Sequence, residues 1–148
     1  MNKTGVTGLC LTLLLAGPLR AEPPTEVRAT DQVTGDGVEL RRGWFAVMHY
    51  AGWVYDEAAA DHKGIPFVDS RSGPPKTFVY GHYRALEGLE KGMRGMKVGG
   101  KRTIVVPARL GYDDLKYQKP EAVPPKSALV FEVELLDAVP QQNPPDPR

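Results

Sequence analysis

The residues that most often carry enzyme chemistry are scattered along this chain. Its three histidines, His49, His62 and His82, lie beside neither a serine nor a cysteine nucleophile motif. The chain contains no Gly-x-Ser-x-Gly and no His-Glu-x-x-His, and its glycine-rich stretches at 88–92 and 99–100 lack the context of a phosphate-binding loop. Nothing in the sequence therefore favours hydrolysis, redox chemistry or phosphoryl transfer.

One acidic loop offers donor atoms for a metal ion. Asp56, Glu57, Asp61 and His62 place three carboxylates and an imidazole close together in the chain, and both donor types bind divalent metals. A solvated acidic loop explains the same residues and is the interpretation we favour, so we predict no metal and no cofactor. The alternative, an exported metal-binding domain, would be stabilised by divalent ions.

A set of aromatic and aliphatic side chains remains at strand ends and in loops. Taken alone, burial in an ordinary core is the favoured explanation for them, and an apolar binding hollow is the alternative. The set comprises Tyr50, Phe67 or Val68, Phe78, Leu89, Tyr112, Val123 and Phe131.

Composition sets the scale of the molecule. A chain of 148 residues that is 41% hydrophobic and 25% charged is typical of one soluble globular domain. The net charge of +1 gives no reason to expect nucleic acid or an anionic membrane as a partner. Sixteen glycines and fourteen prolines favour a turn-rich fold over a helical bundle.

The N-terminus has the pattern of a targeting segment. Lys3 precedes an apolar run at 6–19, and the small Ala21 follows Arg20, so we predict a signal peptide over 1–21. An uncleaved anchor is the alternative. Cleavage would remove Cys10, the only cysteine, and leave a mature chain without disulfides. We expect an exported protein with no membrane contact after cleavage, in the periplasm by preference, or else in a secretory lumen or outside the cell.

The remaining chain divides into an extension, a domain and a tail. The polar segment 22–34, with Pro23 and Pro24, is interpreted as a linker, and the domain is predicted over 35–139. The proline-rich segment 140–148 is expected to be disordered.

The domain combines several strand patterns with one helical pattern. Strands are predicted at 44–54, 78–80, 101–106 and from Leu129 onward after the Pro124-Pro125 corner. Leucine and methionine recur at helical spacing over 83–93. Because regular helices do not alternate with the strands, the pattern indicates an α+β fold with an antiparallel sheet and one short helix against its apolar face. The core predicted from the apolar faces contains Met48, Tyr50, Ile104, Val106, Phe131 and Val133 against Leu86, Leu89 and Met93.

Six short motifs occur in an order that is seen in one family. They are residues 49–52 (HYAG), 68–70 (VDS), 86–93 (LEGLEKGM), 96–102 (MKVGGKR), 110–112 (LGY) and 123–136 (VPPKSALVFEVELL). With these motifs the chain resembles an FKBP-type peptidyl-prolyl cis-trans isomerase over residues 36–138. The last motif, with its Pro-Pro turn, is quite specific. The resemblance implies a five- to six-stranded antiparallel sheet wrapped around one short helix, with an apolar hollow between them as the active site.

The resemblance also implies which residues form the site. Tyr50, Asp69, Leu86 and Tyr112 would be catalytic: the Tyr112 hydroxyl and the Leu86 N–H would donate to the twisted amide, and Asp69 would orient Tyr50. An ordinary loop cap is the alternative role of Asp69. The substrate would contact Phe67, Val68, Ala85, Leu89, Val123 and Phe131.

Three positions depart from the family pattern. Val68 replaces the aromatic residue that precedes the aspartate, unless a shift of one residue lets Phe67 take its place. Leu89 stands where the family commonly has Trp, and Lys76 or Thr77 stands at an aromatic rim position. These departures predict a shallower, less aromatic pocket, on which both catalytic strength and affinity for macrolides such as FK506 or rapamycin depend.

The resemblance therefore implies an enzyme that accelerates rotation about X-Pro bonds in proline-containing polypeptides. The alternative is a chaperone or a module that binds proline-containing segments with reduced isomerase activity.

Overall fold

The computed structural model describes residues 22–142, which form six strands and one α-helix. The elements are β1 (Arg28–Val33), β2 (Phe45–Tyr55), β3 (Lys63–Asp69), β4 (Lys76–Val79), α1 (Glu87–Gly92), β5 (Lys101–Val106) and β6 (Leu129–Val139). Two long antiparallel strands, β2 and β6, form the middle of the sheet and pair from Phe45–Val139 to Val54–Leu129. The sheet order is β1-β5-β6-β2-β3, and β4 pairs with the beginning of β2 on the same side as β3.

The alternation of apolar residues places one face of the sheet against α1. On β2, Ala46 and Met48 are buried, and on β6 the same is true of Phe131, Val133 and Leu135. All residues of the predicted core belong to this cluster or pack against it. The predicted α+β fold, an antiparallel sheet with one short helix, is confirmed.

The helix approaches the sheet closely because it carries two glycines. A Cβ atom at Gly88 would lie 2.4 Å from Val106 Cγ1, and one at Gly92 would lie 2.3 Å from Ile104 Cγ2. Glycine lowers helix propensity by about 1 kcal/mol relative to alanine, but here no larger residue fits. The helix is also shorter than the 83–93 predicted, because Leu86 has an extended ψ of 136° and α1 begins at Glu87.

Two strands were missed by the sequence patterns. Residues 22–34 were interpreted as a linker, but Arg28–Val33 forms β1 and pairs with β5, so the interpretation is wrong for these six residues. All six are exposed, so no apolar alternation indicated a strand. β1 is held from the side by Arg102, whose guanidinium donates to both carboxylate oxygens of Asp31 at 2.6 and 3.1 Å. The second missed strand, β3, contains Gly64 and Pro66 and has no fully buried residue.

Part of each chain end lies outside the described residues. The predicted signal peptide, 1–21, and residues 143–148 of the predicted tail lie outside the described residues. Within the described part, no helix is long and apolar enough to cross a membrane.

Candidate active site

A hollow of about 300 Å³ lies between α1 and the sheet. Its apolar floor consists of Leu89 from α1, Phe131 from β6 and Met48 from β2, each at most 3% exposed. We call it the active hollow. Six of the ten predicted site residues line it: Tyr50, Ala85, Leu86, Leu89, Tyr112 and Phe131. The structure thus brings together side chains from two strands, the helix and two loops.

An extra residue in β3 puts an aromatic ring behind this hollow. Gly52 pairs with Val68 and Trp53 pairs with Pro66, so Phe67 is bulged out between two successive pairs. A bulge of this kind redirects the side chain of the extra residue. The Phe67 ring lies edge-on to Phe131 at 5.7 Å and to Tyr112 at 5.9 Å between centroids. The shift of one residue considered from the sequence is therefore present.

Gly52 makes room for this ring. A Cβ atom at Gly52 would lie 2.8 Å from the Phe67 ring, 2.8 Å from the Phe131 ring and 2.9 Å from Val68 Cγ1. Val68 is itself half-buried against the core. Phe67 and Val68 do not line the active hollow directly, but Phe67 supports two of the rings that do.

Two tyrosine hydroxyls face the active hollow in protonated form. Burial raises the pKa of Tyr50 above its ordinary value of 10.0, and burial with the nearby Tyr50 raises the pKa of Tyr112. Neither hydroxyl hydrogen-bonds to a residue of the described part. Both can therefore donate to a bound carbonyl group at neutral pH.

Leu86 is the N-cap residue of α1, and its carbonyl accepts from the N–H of Glu90 at 3.0 Å. Its own N–H donates to no acceptor within residues 22–142, as is usual where a helix begins. Leu86 lines the active hollow and is 6% exposed.

Asp69 does not orient a tyrosine. Its carboxylate accepts from the N–H of Arg71 at 2.9 Å and caps a 3-10 turn at Ser70–Ser72. Within the described residues no tyrosine hydroxyl donates to it, so the orienting role predicted for Asp69 is wrong and the alternative of a loop cap applies. The next residue, Ser70, takes part in positioning Tyr50 instead: its hydroxyl accepts from the Tyr50 N–H at 2.9 Å.

Ser70 was not found by the sequence reasoning. Its side chain is 4% exposed, and its Oγ also lies 3.0 Å from His49 Nδ1. Because the oxygen accepts from the Tyr50 N–H, its own proton is available to the imidazole. Its only indication in the sequence was its place in the motif at 68–70, next to Asp69.

Val123 does not line the active hollow, contrary to the prediction. It was predicted to line the edge of the pocket, but it is 1% exposed and belongs to the core. The rim near it is formed by Tyr117 and Gln118, which the sequence patterns did not identify. The Tyr117 hydroxyl donates to the carbonyl of Tyr83 at 3.4 Å and links two loops across the opening.

A buried carboxylate on α1 holds one wall of the active hollow. Glu90 is 1% exposed, and its two oxygens accept from the N–H groups of Gly81 at 2.8 Å, Tyr83 at 3.1 Å and Ala85 at 3.1 Å. The loop between β4 and α1, residues 80–86, is thereby fixed to the helix. This loop supplies Arg84, Ala85 and Leu86 to the lining.

The rim contains two cations. Lys76 pairs with Met48 across β4 and β2, and residues directly opposite one another share a face of the sheet, so the Lys76 side chain extends over the active hollow. Arg84 follows Tyr83 in the loop that Glu90 holds. Within the described residues neither Lys76 nor Arg84 is in an ion pair, and no carboxylate of Asp or Glu lines the active hollow.

The acidic loop at 56–62 has the contacts of ordinary turns. Asp56 accepts from the Ala58 N–H and Asp61 accepts from the Lys63 N–H, at 2.9 and 3.2 Å. The His62 ring stacks on Tyr55 at 4.9 Å. Within residues 22–142 no group of three or more histidine, cysteine or acidic side chains is arranged to hold a metal ion.

Comparison with known proteins agrees with this geometry. A family model described as FKBP-type peptidyl-prolyl cis-trans isomerase matches residues 37–136. An FK506-binding protein of Neisseria meningitidis serogroup C is 35% identical over 100 residues, which cover 68% of this chain and 84% of that protein. Peptidyl-prolyl cis-trans isomerase FKBP14 of Homo sapiens is 29% identical over 123 residues, which cover 83% of this chain and 56% of that protein.

Solved structures give the same result. The crystal structure of FkpA from Escherichia coli matches with a TM-score of 0.63 at 30% identity, covering 77% of this chain and 48% of that one. The crystal structure of AtFKBP13 matches with a TM-score of 0.62 at 29% identity, covering 78% of this chain and 94% of that one. With an active hollow lined by six of the expected residues and a family model that spans the sheet from β2 to β6, the chain belongs to the FKBP-type peptidyl-prolyl cis-trans isomerases.

Proposed function

We propose that this isomerase accelerates rotation about X-Pro bonds in exported or folding polypeptides by holding the bond in the active hollow. The observation that carries the proposal is the combination of a buried apolar floor with hydrogen-bond donors on the walls. Leu89 and Phe131 supply the floor, and the hydroxyls of Tyr50 and Tyr112 supply donors.

The reaction suits a site without a nucleophile or a metal ion. Amide resonance sets a barrier of about 18–20 kcal/mol to rotation, and the cis and trans forms of an X-Pro bond differ by only about 1 kcal/mol. The twisted transition state has lost resonance and with it part of the charge separation of the planar amide. An apolar floor therefore favours the transition state over the ground state, which is the condition for catalysis.

Donors that face the twisted carbonyl add to this effect. Tyr112 keeps its proton because burial raises its pKa, and the Leu86 N–H is unpaired where α1 begins. We assign these two groups to the carbonyl oxygen of the residue before proline. One neutral hydrogen bond contributes about 1 kcal/mol, which corresponds to about fivefold in rate.

Exchange spectroscopy by NMR on an X-Pro peptide tests the proposal without a coupled protease. The wild-type chain at micromolar concentration should accelerate the exchange of cis and trans forms above the uncatalysed rate. Tyr112→Phe should lower kcat/KM about fivefold. Tyr55→Phe, which changes a ring stacked on His62 away from the active hollow, should leave it unchanged. An uncatalysed rate in the presence of the folded wild-type chain would refute the enzymatic proposal.

A second candidate is a module that binds proline-containing segments with little catalysis. The observation that favours it is the floor: Leu89 has a smaller side chain than the Trp expected from the family pattern, and it is 3% exposed. Leu89→Trp separates the two functions. A large gain in the exchange rate would identify the natural chain as catalytically reduced, whereas an unchanged or lower rate would support Leu89 as an adequate floor.

Leu89 also determines the affinity that we expect for macrolides. Relatives of this chain are named FK506-binding proteins, and we expect weak binding of FK506 here because Leu89 offers less contact area than an indole ring. Calorimetric titration should give tighter binding for Leu89→Trp than for wild type. Equal affinities would show that the floor does not determine macrolide binding.

Export rests on the sequence of the N-terminus. Lys3 and the apolar run at 6–19 form the pattern of a signal peptide, and we place the mature enzyme in the periplasm. Expression of the full chain with fractionation, followed by N-terminal sequencing of the recovered protein, tests both points. A first residue near Glu22 is expected, and recovery of the uncut chain in the membrane fraction would favour an anchor instead.

A further inference from the structure

A second hollow lies on the other side of the loop that Glu90 holds. It has a volume of about 260 Å³ and its walls include Arg41, Arg42 and Arg94. We call it the arginine hollow. Four basic side chains line it, the fourth being Lys91, against two acidic ones.

Positive charge exceeds negative charge in this hollow. The Glu90 carboxylate accepts from three backbone N–H groups but keeps its charge, and Lys91 is paired with Glu87 at 2.8 Å. Three arginines therefore face the two carboxylates of Glu39 and Glu90. Within the described residues, Arg41, Arg42 and Arg94 form no ion pair with a carboxylate. Since the whole chain carries a net charge of only +1, the excess of positive charge is local.

A tyrosine side chain lines the same space. Tyr80 is 7% exposed and lines the arginine hollow. Its hydroxyl pairs with no described residue, and because no fully buried side-chain oxygen is left without a partner, this hydroxyl must reach the open space. Burial is the main cause that raises the pKa of Tyr80; the Glu90 carboxylate raises it further, whereas Arg94 and Arg42 lower it. The hydroxyl therefore remains a donor.

Arg42 is held in place for this role. Its Nη2 donates to the carbonyl of Gly81 at 3.2 Å, and Gly81 in turn donates to Glu90. A planar guanidinium fixed in this way still has free N–H groups, which match the geometry of a carboxylate or phosphate. The arginine hollow thus combines one held guanidinium, two further arginines and a neutral donor, a set of groups that suits an oxyanion.

The two hollows share one loop. Tyr83 lines the arginine hollow and its neighbour Arg84 lines the active hollow, and consecutive residues are about 3.8 Å apart. A polypeptide whose proline occupies the active hollow passes the cations Lys76 and Arg84 at the rim. Arg42 and Arg94 line the neighbouring arginine hollow.

We propose that the arginine hollow binds the carboxylate of an acidic side chain a few residues from the proline, so that the enzyme prefers substrates with acidic segments beside X-Pro bonds. This inference rests on the isomerase function proposed above. A free oxyanion such as inorganic phosphate shares the chemistry and is the competing occupant.

Matched peptides test the preference. One X-Pro peptide carries a pair of Glu residues at two to four positions from proline, before or after it, and its partner carries Gln at the same positions. For wild type we expect kcat/KM to be about fivefold higher for one Glu peptide than for its Gln partner at low salt, and the ratio should fall as salt rises. Both peptides are measured on one preparation, so the fraction of folded protein cancels in the ratio.

Variants identify the site. Arg94→Gln and Tyr80→Phe should each bring the ratio towards one, and Arg42→Gln should do so as well. Arg28→Gln makes the same change on the exposed strand β1, outside both hollows, and should leave the ratio unchanged. A ratio of one in wild type for every peptide, or a ratio that survives Arg94→Gln combined with Arg42→Gln, would overturn the inference.

Binding measured by NMR titration keeps the inference separate from catalysis. Amide shifts at Gly81 and Gly95, which line the arginine hollow, should respond to the Glu peptide and not to the Gln peptide, even if no peptide is isomerised. In that case the enzymatic proposal fails while the binding of a carboxylate in the arginine hollow stands. Shifts caused by inorganic phosphate alone, with none from any Glu peptide, would show a site for free anions and would overturn the proposal of a substrate carboxylate.

Discussion

Replacement of Glu90 by Gln tests whether a buried carboxylate holds the wall of the active site. The change keeps the size of the side chain but removes its charge and one of its two acceptor atoms. In the native chain Oε2 accepts from Gly81 and Tyr83, and Oε1 accepts from Ala85. Gln can place its oxygen at only one of these sites, so at least one backbone N–H must face an amide NH₂ group.

The magnitude follows from these three bonds. A buried donor left without an acceptor costs about 1–3 kcal/mol. Each bond that changes from a charged to a neutral acceptor loses roughly 1 kcal/mol more, and relief from the burial of a charge offsets part of the sum. We therefore expect Glu90→Gln to lower the free energy of unfolding by about 2–4 kcal/mol. For a domain of this size that corresponds to a fall in Tm of roughly 8–16 °C.

Denaturant unfolding measures the loss of stability, and peptide exchange measures the effect on catalysis. Well below its Tm, the folded variant should show a severalfold lower kcat/KM, because the loop that it releases carries Arg84 to Leu86 into the active hollow. Glu87→Gln is the matched control: this neighbour is paired with Lys91 and with Lys116 at the surface, and the change should cost at most about 1 kcal/mol. Equal stability of Glu90→Gln and Glu87→Gln would refute the reasoning.

Two substitutions on the sheet side of the site and one pH profile give further tests. Ser70→Ala leaves the Tyr50 N–H without its acceptor and should lower the free energy of unfolding by about 1–3 kcal/mol in denaturant titrations, whereas Ser72→Ala on the exposed end of the same turn should not. Gly52→Ala places a methyl group within 2.8 Å of the Phe67 ring and should destabilise by about 1–3 kcal/mol while lowering the exchange rate. The rate itself should be flat from about pH 6 to 9, since burial raises the pKa of Tyr112 above 10.0 and the hydroxyl loses its proton only at higher pH. A fall in rate within this range that disappears in Tyr112→Phe would contradict the raised pKa of Tyr112.

Much of the sheet could be predicted from the sequence, because its central strands bury one face. Alternation on β6 and the run of aromatic and β-branched residues on β2 identify both strands, and β5 has the bounds that were predicted. β1 could not be found in this way, since it lies on the sheet edge with every side chain exposed. Its place depends on backbone pairing and on the ion pair between Asp31 and Arg102, neither of which has a local sequence pattern.

The ring positions of the active hollow were also predictable, from motifs and from helical spacing. Tyr50, Tyr112 and Phe131 belong to motifs of fixed spacing, and Leu89 follows from helical spacing. Phe67 was left open against Val68, because the choice depends on a bulge, and one extra residue exchanges the faces of a strand without changing its composition. Only the pairing of Gly52 with Val68 and of Trp53 with Pro66 decides it.

Two of the errors concern side chains that bind backbone groups, and a third concerns burial. Asp69 was expected to orient Tyr50 through its carboxylate, yet a short carboxylate at the start of a turn has a nearer donor in the N–H two residues on, here that of Arg71. The hydroxyl of Ser70, one position later, extends back across the sheet to the Tyr50 N–H. Val123 was expected at the surface of the pocket, but it is 1% exposed and belongs to the core.

The two halves of the site are therefore held by different forces. The sheet half, with Tyr50 and Phe131, is fixed by ladders of hydrogen bonds between strands distant in sequence. The helix half cannot be fixed by α1 itself, because a helix of six residues is too short to be stable alone. It depends on packing through two glycines and on the Glu90 carboxylate, which lines the arginine hollow and holds the loop that lines the active hollow. A change in the position of this loop must therefore alter both hollows together. Changes at Glu90 should alter substrate preference and rate jointly, whereas changes on the sheet should alter one without the other.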